Sequence, residues 1–409
     1  MKKLLALSIS LPALVVIMPA QAEGTWGDDL AKAVRDGKAS LDFRYRYEYV
    51  DQDSFDDEAE ASLMRSRLTL ESADLKGFKA LIEADDVTNI GVNDYNSTEN
   101  GKTEYPVVAD PEGTEINQVW LKYQMESFTG TGGRQRINLG NQRFVGGVAW
   151  RQNEQTYDGG RIEWAPLEGL SVDASYVYNI NRIWGPDDGA NPADLEGDNF
   201  FLRADYALTE NHKLAAFGYF LDIDDQGRFA AGKTVNNSSD TYGLEYSGKI
   251  DRFSLRASWA TQSEAGDSEL SYDADYYAVE LGAKFELFDL KVGYEMLEGD
   301  EGVGFATPLA TLHKFQGWAD KFLTTPGDGI EDAWVSVGGK LGPVKLAAVY
   351  HDFQAESSST DFGTEIDLVA TWAVNKQFTL QAKYASFDTD DSSRYDDTDK
   401  AWLTLQLKL

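Results

Sequence analysis

The chain has 409 residues, a formal net charge of −32 at pH 7, no cysteine and 12% aromatic residues. A strongly acidic chain is a poor partner for nucleic acid, the absence of cysteine excludes a disulfide framework, and the aromatic content is too high for a disordered acidic chain. The mean hydropathy of −0.42 is typical of a soluble protein. In a membrane β-barrel, however, only alternate residues meet lipid, so the average hides the membrane signal.

The first 22 residues have the pattern of a secretory signal peptide. Two lysines precede an apolar run, and Ala20-Gln21-Ala22 supplies small residues for cleavage. The alternative, an uncleaved membrane anchor, is disfavoured because the run is short. Residues 23–37 are predicted to be a short periplasmic lead-in with a helix near Asp28–Arg35.

Period-two alternation of apolar and polar residues from residue 38 onward predicts a single all-β domain, 38–409. Most of the segments approach the roughly 9–11 residues that a tilted strand needs to cross a bilayer. The ninth segment is ambiguous, since either of its two faces could be the apolar one. The eighteen predicted strands are 38–50, 60–72, 77–88, 115–125, 134–140, 152–164, 170–180, 198–206, 213–223, 240–248, 252–263, 275–285, 288–297, 330–339, 343–353, 363–374, 378–387 and 400–409.

The last predicted strand explains how the sheet ends. Leu403, Leu405, Leu407 and Leu409 alternate with polar residues, so the leucines share one face. Left as an open edge, such a strand would promote aggregation. The first strand has the same alternation, which predicts that the two pair and close a transmembrane antiparallel up-and-down barrel of about 18 strands.

The connections between the predicted strands alternate in length. The even-numbered ones are tight turns, whereas the odd-numbered ones are long: 51–59, 89–114, 141–151, 181–197, 224–239, 264–274, 298–329, 354–362 and 388–399. Long extracellular loops and short periplasmic turns are the outer-membrane arrangement. A soluble all-β protein would combine these features only by coincidence.

Three runs of residues resemble the alginate-export family of outer-membrane porins. They are 133–158, which contains Asn141-Gln142-Arg143-Phe144 and Trp150-Arg151-Gln152-Asn153, then Asn181-Arg182-Ile183-Trp184-Gly185-Pro186-Asp187, and 307–326. The resemblance covers almost all of the mature chain. It implies an eighteen-stranded monomeric barrel, which agrees with the strand count made from the pattern, but it does not settle the solute.

Charged residues must face the lumen, because a Lys or Arg facing lipid at mid-membrane costs about 2–4 kcal/mol. The candidate pore-lining, anion-binding residues are Arg44, Arg46, Arg65, Arg67, Lys122, Arg134, Arg136, Arg161 and Arg203. Most of them lie in the first six strands. Guanidinium suits carboxylate, so the cluster could attract anions through the pore. Equally, it could be an Arg–Glu lattice that braces the wall.

Two loops supply further candidates. The longest, 298–329, has apolar residues at helix-like spacing in its Leu309–Leu323 segment. We expect it to fold inward or cap the mouth as a constriction; the alternative is an external loop packed on its neighbours. In residues 141–155, arginine beside aromatic residues could hold a sugar ring or anchor the loop. The constriction candidates are Arg143, Arg151, His313, Lys314, Trp318 and Lys321.

The sequence shows no sign of catalysis. It has three histidines but no H-E-x-x-H, G-x-S-x-G or phosphate-binding glycine loop. Residues 388–399 loosely resemble a calcium loop but lack its glycine and glutamate. We therefore predict no enzyme activity, no catalytic residue, no cofactor and no metal site. A surface adhesin is a third class, which conductance would separate from a channel.

The predicted function is passive diffusion of solutes through the Gram-negative outer membrane. We expect the protein to reach this membrane after export directed by its signal peptide. The expected solutes are anionic oligo- or polysaccharides or small carboxylates; the alternative is a general or differently selective porin for small nutrients. The expected partners are outer-membrane lipid, lipopolysaccharide and the barrel-assembly machinery. We expect a monomer that binds no nucleic acid.

Overall fold

The barrel wall is one closed antiparallel sheet of 18 strands. The computed structural model describes residues 26–224, 227–230, 233–235 and 237–409. The predicted signal peptide lies outside the described residues. The strands are β1 (Lys38–Gln52), β2 (Ala59–Glu71), β3 (Phe78–Asp94), β4 (Gly113–Gln124), β5 (Phe128–Gln135), β6 (Thr156–Leu167), β7 (Leu170–Asn181), β8 (Asp194–Thr209), β9 (His212–Leu221), β10 (Ser239–Ile250), β11 (Phe253–Glu264), β12 (Asp273–Lys284), β13 (Phe288–Leu297), β14 (Ile330–Leu341), β15 (Val344–Gln354), β16 (Asp361–Ala373), β17 (Phe378–Thr389) and β18 (Thr398–Lys408).

The other regular elements are short. A helix, α1 (Trp26–Arg35), precedes the barrel and begins two residues before the predicted start. Two small hairpins lie in the loops, Gly227–Ala230 with Lys233–Val235 and Gly299–Asp300 with Val303–Gly304. Within the described part of the chain, no helix is long and apolar enough to cross a membrane.

Closure of the barrel occurs where the sequence predicted it. β1 pairs with β18 in antiparallel register, from Asp42 opposite Lys408 to Gln52 opposite Thr398. The leucines of β18 share the outer face, with Leu403 opposite Tyr47 and 45% exposed. Closure leaves no open edge, so every wall strand has a hydrogen-bonded neighbour on both sides, as a bilayer requires.

The two faces of the wall differ as expected for a membrane barrel. On β16, Ile366 and Leu368 are exposed on the outer face, whereas Glu365 and Asp367 are buried on the inner face. Exposed aromatic residues such as Phe200 and Tyr242 lie on the outer face, consistent with aromatic girdles. The prediction of apolar outer and polar inner faces is confirmed.

The fifth predicted strand, 134–140, was wrong. The actual β5, Phe128–Gln135, lies largely before it. Its Gly130, Gly132 and Gly133 remove the alternation that would have marked it. Ile137 and Leu139 instead belong to a loop and are buried inside the barrel. The third external loop, L3 (136–155), is therefore longer than predicted.

The hydrophobic core lies inside the barrel, not between two sheets. Phe144 of L3 packs against Phe217, Tyr276 and Phe305, with ring centroids 5.0 to 6.1 Å apart. Ala215, Phe217 and Tyr219 are the inward face of β9, which resolves the ambiguous strand. Among the described residues, L3 and the seventh external loop, L7 (298–329), occupy much of the lumen.

We predict that the two faces of β14 tolerate charge differently. Val337, 47% exposed on the outer face, should lose about 2–4 kcal/mol of folding free energy on Val337→Lys, because the ammonium would lie in lipid. The matched variant Ser336→Lys lies on the adjacent inward residue, which lines a lumen cavity opposite Lys291. It should lose less, about 0.2–1 kcal/mol, because its only penalty is repulsion from a like charge across the strands. Denaturant unfolding in lipid vesicles measures both. Equal losses would contradict the assigned faces.

Candidate functional site

Arg44 ties L3 to the wall. Its guanidinium donates to Gln152 Oε1 at 2.8 Å, to the Ala149 carbonyl at 2.9 Å and to the Arg151 carbonyl. All three acceptors belong to L3, and the arginine is buried. Arg44 therefore anchors a loop and does not face open solvent.

Arg46 holds the same stretch of L3 by a different contact. Its Cζ lies 4.1 Å from the centroid of the Trp150 ring, a cation–π arrangement. Its Nη1 is 3.7 Å from Asp110 Oδ2, and Asp110 belongs to the second external loop, L2 (95–112). The backbone N–H of Gln152 donates to Asp110 Oδ1 at 2.6 Å. L2 thus supplies a counter-charge beneath L3.

Glu154 of L3 is the common counter-charge of three arginines. It accepts hydrogen bonds from Arg67 Nη1 at 2.7 Å and from Arg136 Nε, and Arg65 Nη1 lies 3.8 Å away. Arg67 also binds Asp85 with two hydrogen bonds. Burial acts to raise the pKa of Glu154, but Arg67 and Arg136 outweigh it and hold the pKa at about 2.

Arg143 and Arg151 attach L3 to further parts of the barrel. Arg143 Nε donates to Glu295 Oε1 of β13 at 2.9 Å, and its other nitrogens reach Thr307 and Gln316 of L7. Arg151 lies 3.2 Å from Glu48 of β1. Of the two interpretations of these loop arginines, these contacts favour loop anchoring.

L7 lies inside the lumen and packs on L3. The Gly146 N–H donates to the Leu309 carbonyl at 2.9 Å, and the Trp150 and His313 rings stack 4.2 Å apart. Only Leu312–Lys314 forms a helical turn, so the helix-like spacing of the apolar residues does not mark a longer helix. The spacing reflects residues such as Phe322 packing inward.

His313 is a neutral imidazole between two charges. Burial lowers its pKa to about 3, with Asp320 opposing and Lys383 reinforcing the shift. Nδ1 lies 2.7 Å from Asp320 Oδ1, and Nε2 accepts from Lys383 Nζ at 2.7 Å. Lys383 Nζ also lies 3.6 Å from the centroid of the Trp318 ring. His313 and Trp318 therefore hold L7 to the β17 wall.

Two remaining L7 candidates differ in exposure. Lys321 donates to Thr398 Oγ1 at 2.9 Å, and burial lowers its pKa to about 8. Lys314 is exposed, and its Nζ donates to the Asn141 carbonyl at 2.9 Å. Among the described residues, no carboxylate lies within 4 Å of the Lys314 ammonium. Lys314 therefore presents its charge to the lumen.

Arg134 does not line the pore. Its register partners are Val119, which is exposed on the outer face, and Asp158. Paired residues of antiparallel strands project to the same side of the sheet, so Arg134 lies on the outer face. There it binds Asp158 with two hydrogen bonds of 2.8 and 2.9 Å. The inward prediction failed because it assumed the wrong limits for β5.

Arg161, Arg203 and Lys122 lie on a wall that L3 leaves more open. Arg161 binds Asp173 and is 17% exposed, whereas Arg203 binds Asp205 and Glu245. These arginines line a cavity of about 380 Å³ beside L3. Lys122 stacks on Trp120, 4.8 Å from its ring centroid. All three residues lie on the inner face of the wall, and their binding of anions stays a prediction.

A second lumen cavity of about 490 Å³ lies beside L7. Arg256, Lys291, Lys314, Phe315 and Trp334 are among its lining residues. Arg256 binds Glu245 at 2.5 Å, and Lys291 binds Glu280 at 2.8 Å while 45% exposed. Arg256 and Lys291 are not among the candidates selected from the sequence, because which inward cations stay accessible depends on how the loops fold.

The sequence matches the family model described as alginate export over residues 38–308. The chain belongs to the alginate-export family. Like other members of this porin family, it is a channel protein of the Gram-negative outer membrane. No curated protein matches the sequence.

Solved structures share the fold at low sequence identity. Pseudomonas aeruginosa OccK3 (OpdO) has a TM-score of 0.71 and 15% identity, covering 95% of this chain and 99% of its own. Acinetobacter baumannii OccAB2 has a TM-score of 0.71 and 16% identity, covering 92% and 99%. P. aeruginosa OpdK, solved with vanillate, has a TM-score of 0.69 and 13% identity, covering 92% and 99%.

We predict that protonation of Glu154 at low pH weakens the anchoring of L3. Its pKa lies below its ordinary value of 4.5, so its stabilisation is complete above that value and is lost as the pH falls toward 2. Glu154→Gln should remove this dependence and loosen L3 at neutral pH by about 3–5 kcal/mol, because buried arginines lose their counter-charge.

Hydrogen exchange of the L3 amides, followed from pH 6 to pH 2, measures this effect. Glu163→Gln is the matched control, because Glu163 is 44% exposed and forms its ion pair with Arg161, away from the Glu154 cluster. Wild-type exchange that stays constant after correction for the intrinsic rate, or a Glu154→Gln protein with wild-type protection, would contradict the prediction.

Proposed function

We propose that this channel passes anionic, saccharide-like solutes by passive diffusion. The observation that carries the proposal is the group of accessible cations beside L7. Lys291 and Arg256 line the cavity beside L7 and are paired with Glu280 and Glu245, and Glu280, Glu295 and Asp332 also line it. Lys314 is exposed there without a carboxylate partner among the described residues, so its charge is the one that the proposal depends on most. Fixed positive charge in a narrow passage attracts anions and repels cations.

The cavity also contains aromatic surface. Phe315 and Trp334 line it together with the cations. Apolar ring faces suit the C–H faces of a sugar, and lysine or arginine suits its carboxylate. The family description supports a carboxylated saccharide. The vanillate in the OpdK structure is a small carboxylate, so a smaller anion is compatible with the same chemistry.

The β1–β2 arginines play a different part in this proposal. Arg44, Arg46, Arg65 and Arg67 are buried against L3 and its acids, so they shape the passage and do not contact solute. The solute-contacting residues would be Arg161, Arg203, Arg256, Lys291 and Lys314. We also propose a monomer inserted by the barrel-assembly machinery, since one chain closes the barrel by itself.

The reversal potential of single channels in a planar bilayer, under a potassium chloride gradient, tests the proposal. Anion-selective current that oligouronates block supports it. Cation-selective current that they leave unblocked would refute it and favour a porin for other small nutrients. The absence of current at any voltage would favour an adhesin.

We predict that Lys314→Gln shifts selectivity toward cations. Two unit charges 4 Å apart in water interact by about 1 kcal/mol, which corresponds to a roughly fivefold fall in the ratio of anion to cation permeability. The control, Lys376→Gln, removes the same charge from the exposed turn between β16 and β17. Equal reversal potentials for the two variants would show that Lys314 does not set selectivity.

A further inference from the structure

Two carboxylates on β16 are buried side by side. Glu365 and Asp367 are two residues apart, so both project inward, and their exposures are 1% and 0%. Among the described residues, Glu365 Oε2 and both oxygens of Asp367 have no hydrogen-bond partner. Buried ionised carboxylates are costly unless they are paired and hydrogen-bonded. As two full anions, these groups would therefore be unstable in this position.

The nearby cations have other partners. On β15, His351 Nδ1 lies 2.9 Å from Asp332 of β14, whereas its Nε2 is a longer 3.7 Å from Asp367. On β17, Lys383 donates to His313 of L7. L7 also brings Asp320 and Lys321 to this side of the lumen. In the part of the chain that the structure describes, no neighbouring cation is thus dedicated to the pair, and adjacent carboxylates in such a site share a proton.

Glu365 also binds L7 to the barrel wall. Its Oε1 accepts hydrogen bonds from the backbone N–H groups of Trp318 and Ala319. Gln316 and Gly317 have left-handed φ values of 47° and 78°, and successive N–H groups in such turns converge on an anion. A Cβ at residue 317 would collide with the Glu365 carboxylate, so only glycine allows this approach.

We propose that Glu365 and Asp367 bind one proton between them, and that this acid pair is the latch that keeps L7 folded into the lumen. Asp367 donates its O–H to Glu365 Oε2, while Glu365 Oε1 keeps its negative charge for the two N–H groups of L7. One proton therefore gives partners to oxygens that otherwise lack them. The latch does not depend on which solute passes.

The shared proton determines the direction in which the channel responds to pH. Alkaline pH removes the shared proton and leaves two adjacent anions in a buried site. Their repulsion and desolvation cost destabilise the latched state, so L7 should leave the lumen and the conductance should rise. At neutral and mildly acidic pH the proton is held and the channel stays narrow.

Single-channel conductance of the whole protein in a planar bilayer, from pH 6 to pH 10, tests the latch. Wild type should widen at alkaline pH. Asp367→Asn should stay narrow, because its amide donates to Glu365 and has no proton to lose in this range. Gly317→Ala should be wide at every pH, because it breaks the latch from L7 and leaves the wall unchanged. Glu163→Gln, a lumen carboxylate away from L7, should respond as wild type does.

Two results would overturn the proposal. One is an Asp367→Asn channel that widens with pH as wild type does. The other is a Gly317→Ala channel as narrow as wild type at every pH. Gel mobility of the unheated protein verifies that each variant has formed a barrel. Anion selectivity is measured separately by the reversal potential, so failure of the latch and failure of the proposed solute class give different results.

Discussion

Like charges on adjacent strands are the constraint on which the interior depends. Arg44 lies directly opposite Arg65 in the β1–β2 register, and Arg46 and Arg67 lie on the same inner face. Buried guanidinium groups need acceptors and counter-charges. The wall strands supply Asp42, Glu83, Asp85 and the Thr404 hydroxyl. The loops add Glu154 and three carbonyl or amide oxygens from L3, and Asp110 from L2. The position of L3 is thus set by the charges of the first two strands.

The passage follows from this arrangement. Because L3 covers the β1–β2 side and L7 packs against β16 to β18, the described lumen cavities lie along the strands between them. The clustered arginines of β1 and β2 hold loops in place. A smaller set of cations, Lys291 and Lys314 above all, is exposed to solvent. Selectivity in this account comes from what the loops leave uncovered and not from the total charge of the wall. The formal charge of −32 therefore does not contradict an anion path.

The sequence was sufficient wherever the controlling physics is local. Period-two alternation and the cost of charge in lipid predicted the closing strand, the faces of most strands and the inward direction of Arg44, Arg161 and Arg203. Prediction failed at β5, whose glycines carry no alternation, and so failed for Arg134. The sequence could not distinguish arginines that brace the wall from arginines that bind solute. This distinction depends on contacts between residues far apart in the sequence, such as Arg44 and Gln152. The two faces of β9 looked alike because Phe217 is apolar yet inward, where it packs on Phe144 of L3.

The chain has no cysteine, so the reactivity of single introduced cysteines shows whether the open passage lies away from the β1–β2 arginines. Leu63 lies on the inner face of β2 beneath L3, with its carbonyl 3.5 Å from Gln152 Nε2, and Ser336 lies on the inner face of β14 in the larger cavity. Channel current is recorded while an anionic, thiol-reactive sulfonate is added to Leu63→Cys and Ser336→Cys. We expect rapid block of the Ser336→Cys channel and no reaction at Leu63→Cys. Rapid reaction at Leu63→Cys, with Ser336→Cys protected, would contradict this expectation by placing the open passage along the β1–β2 arginines.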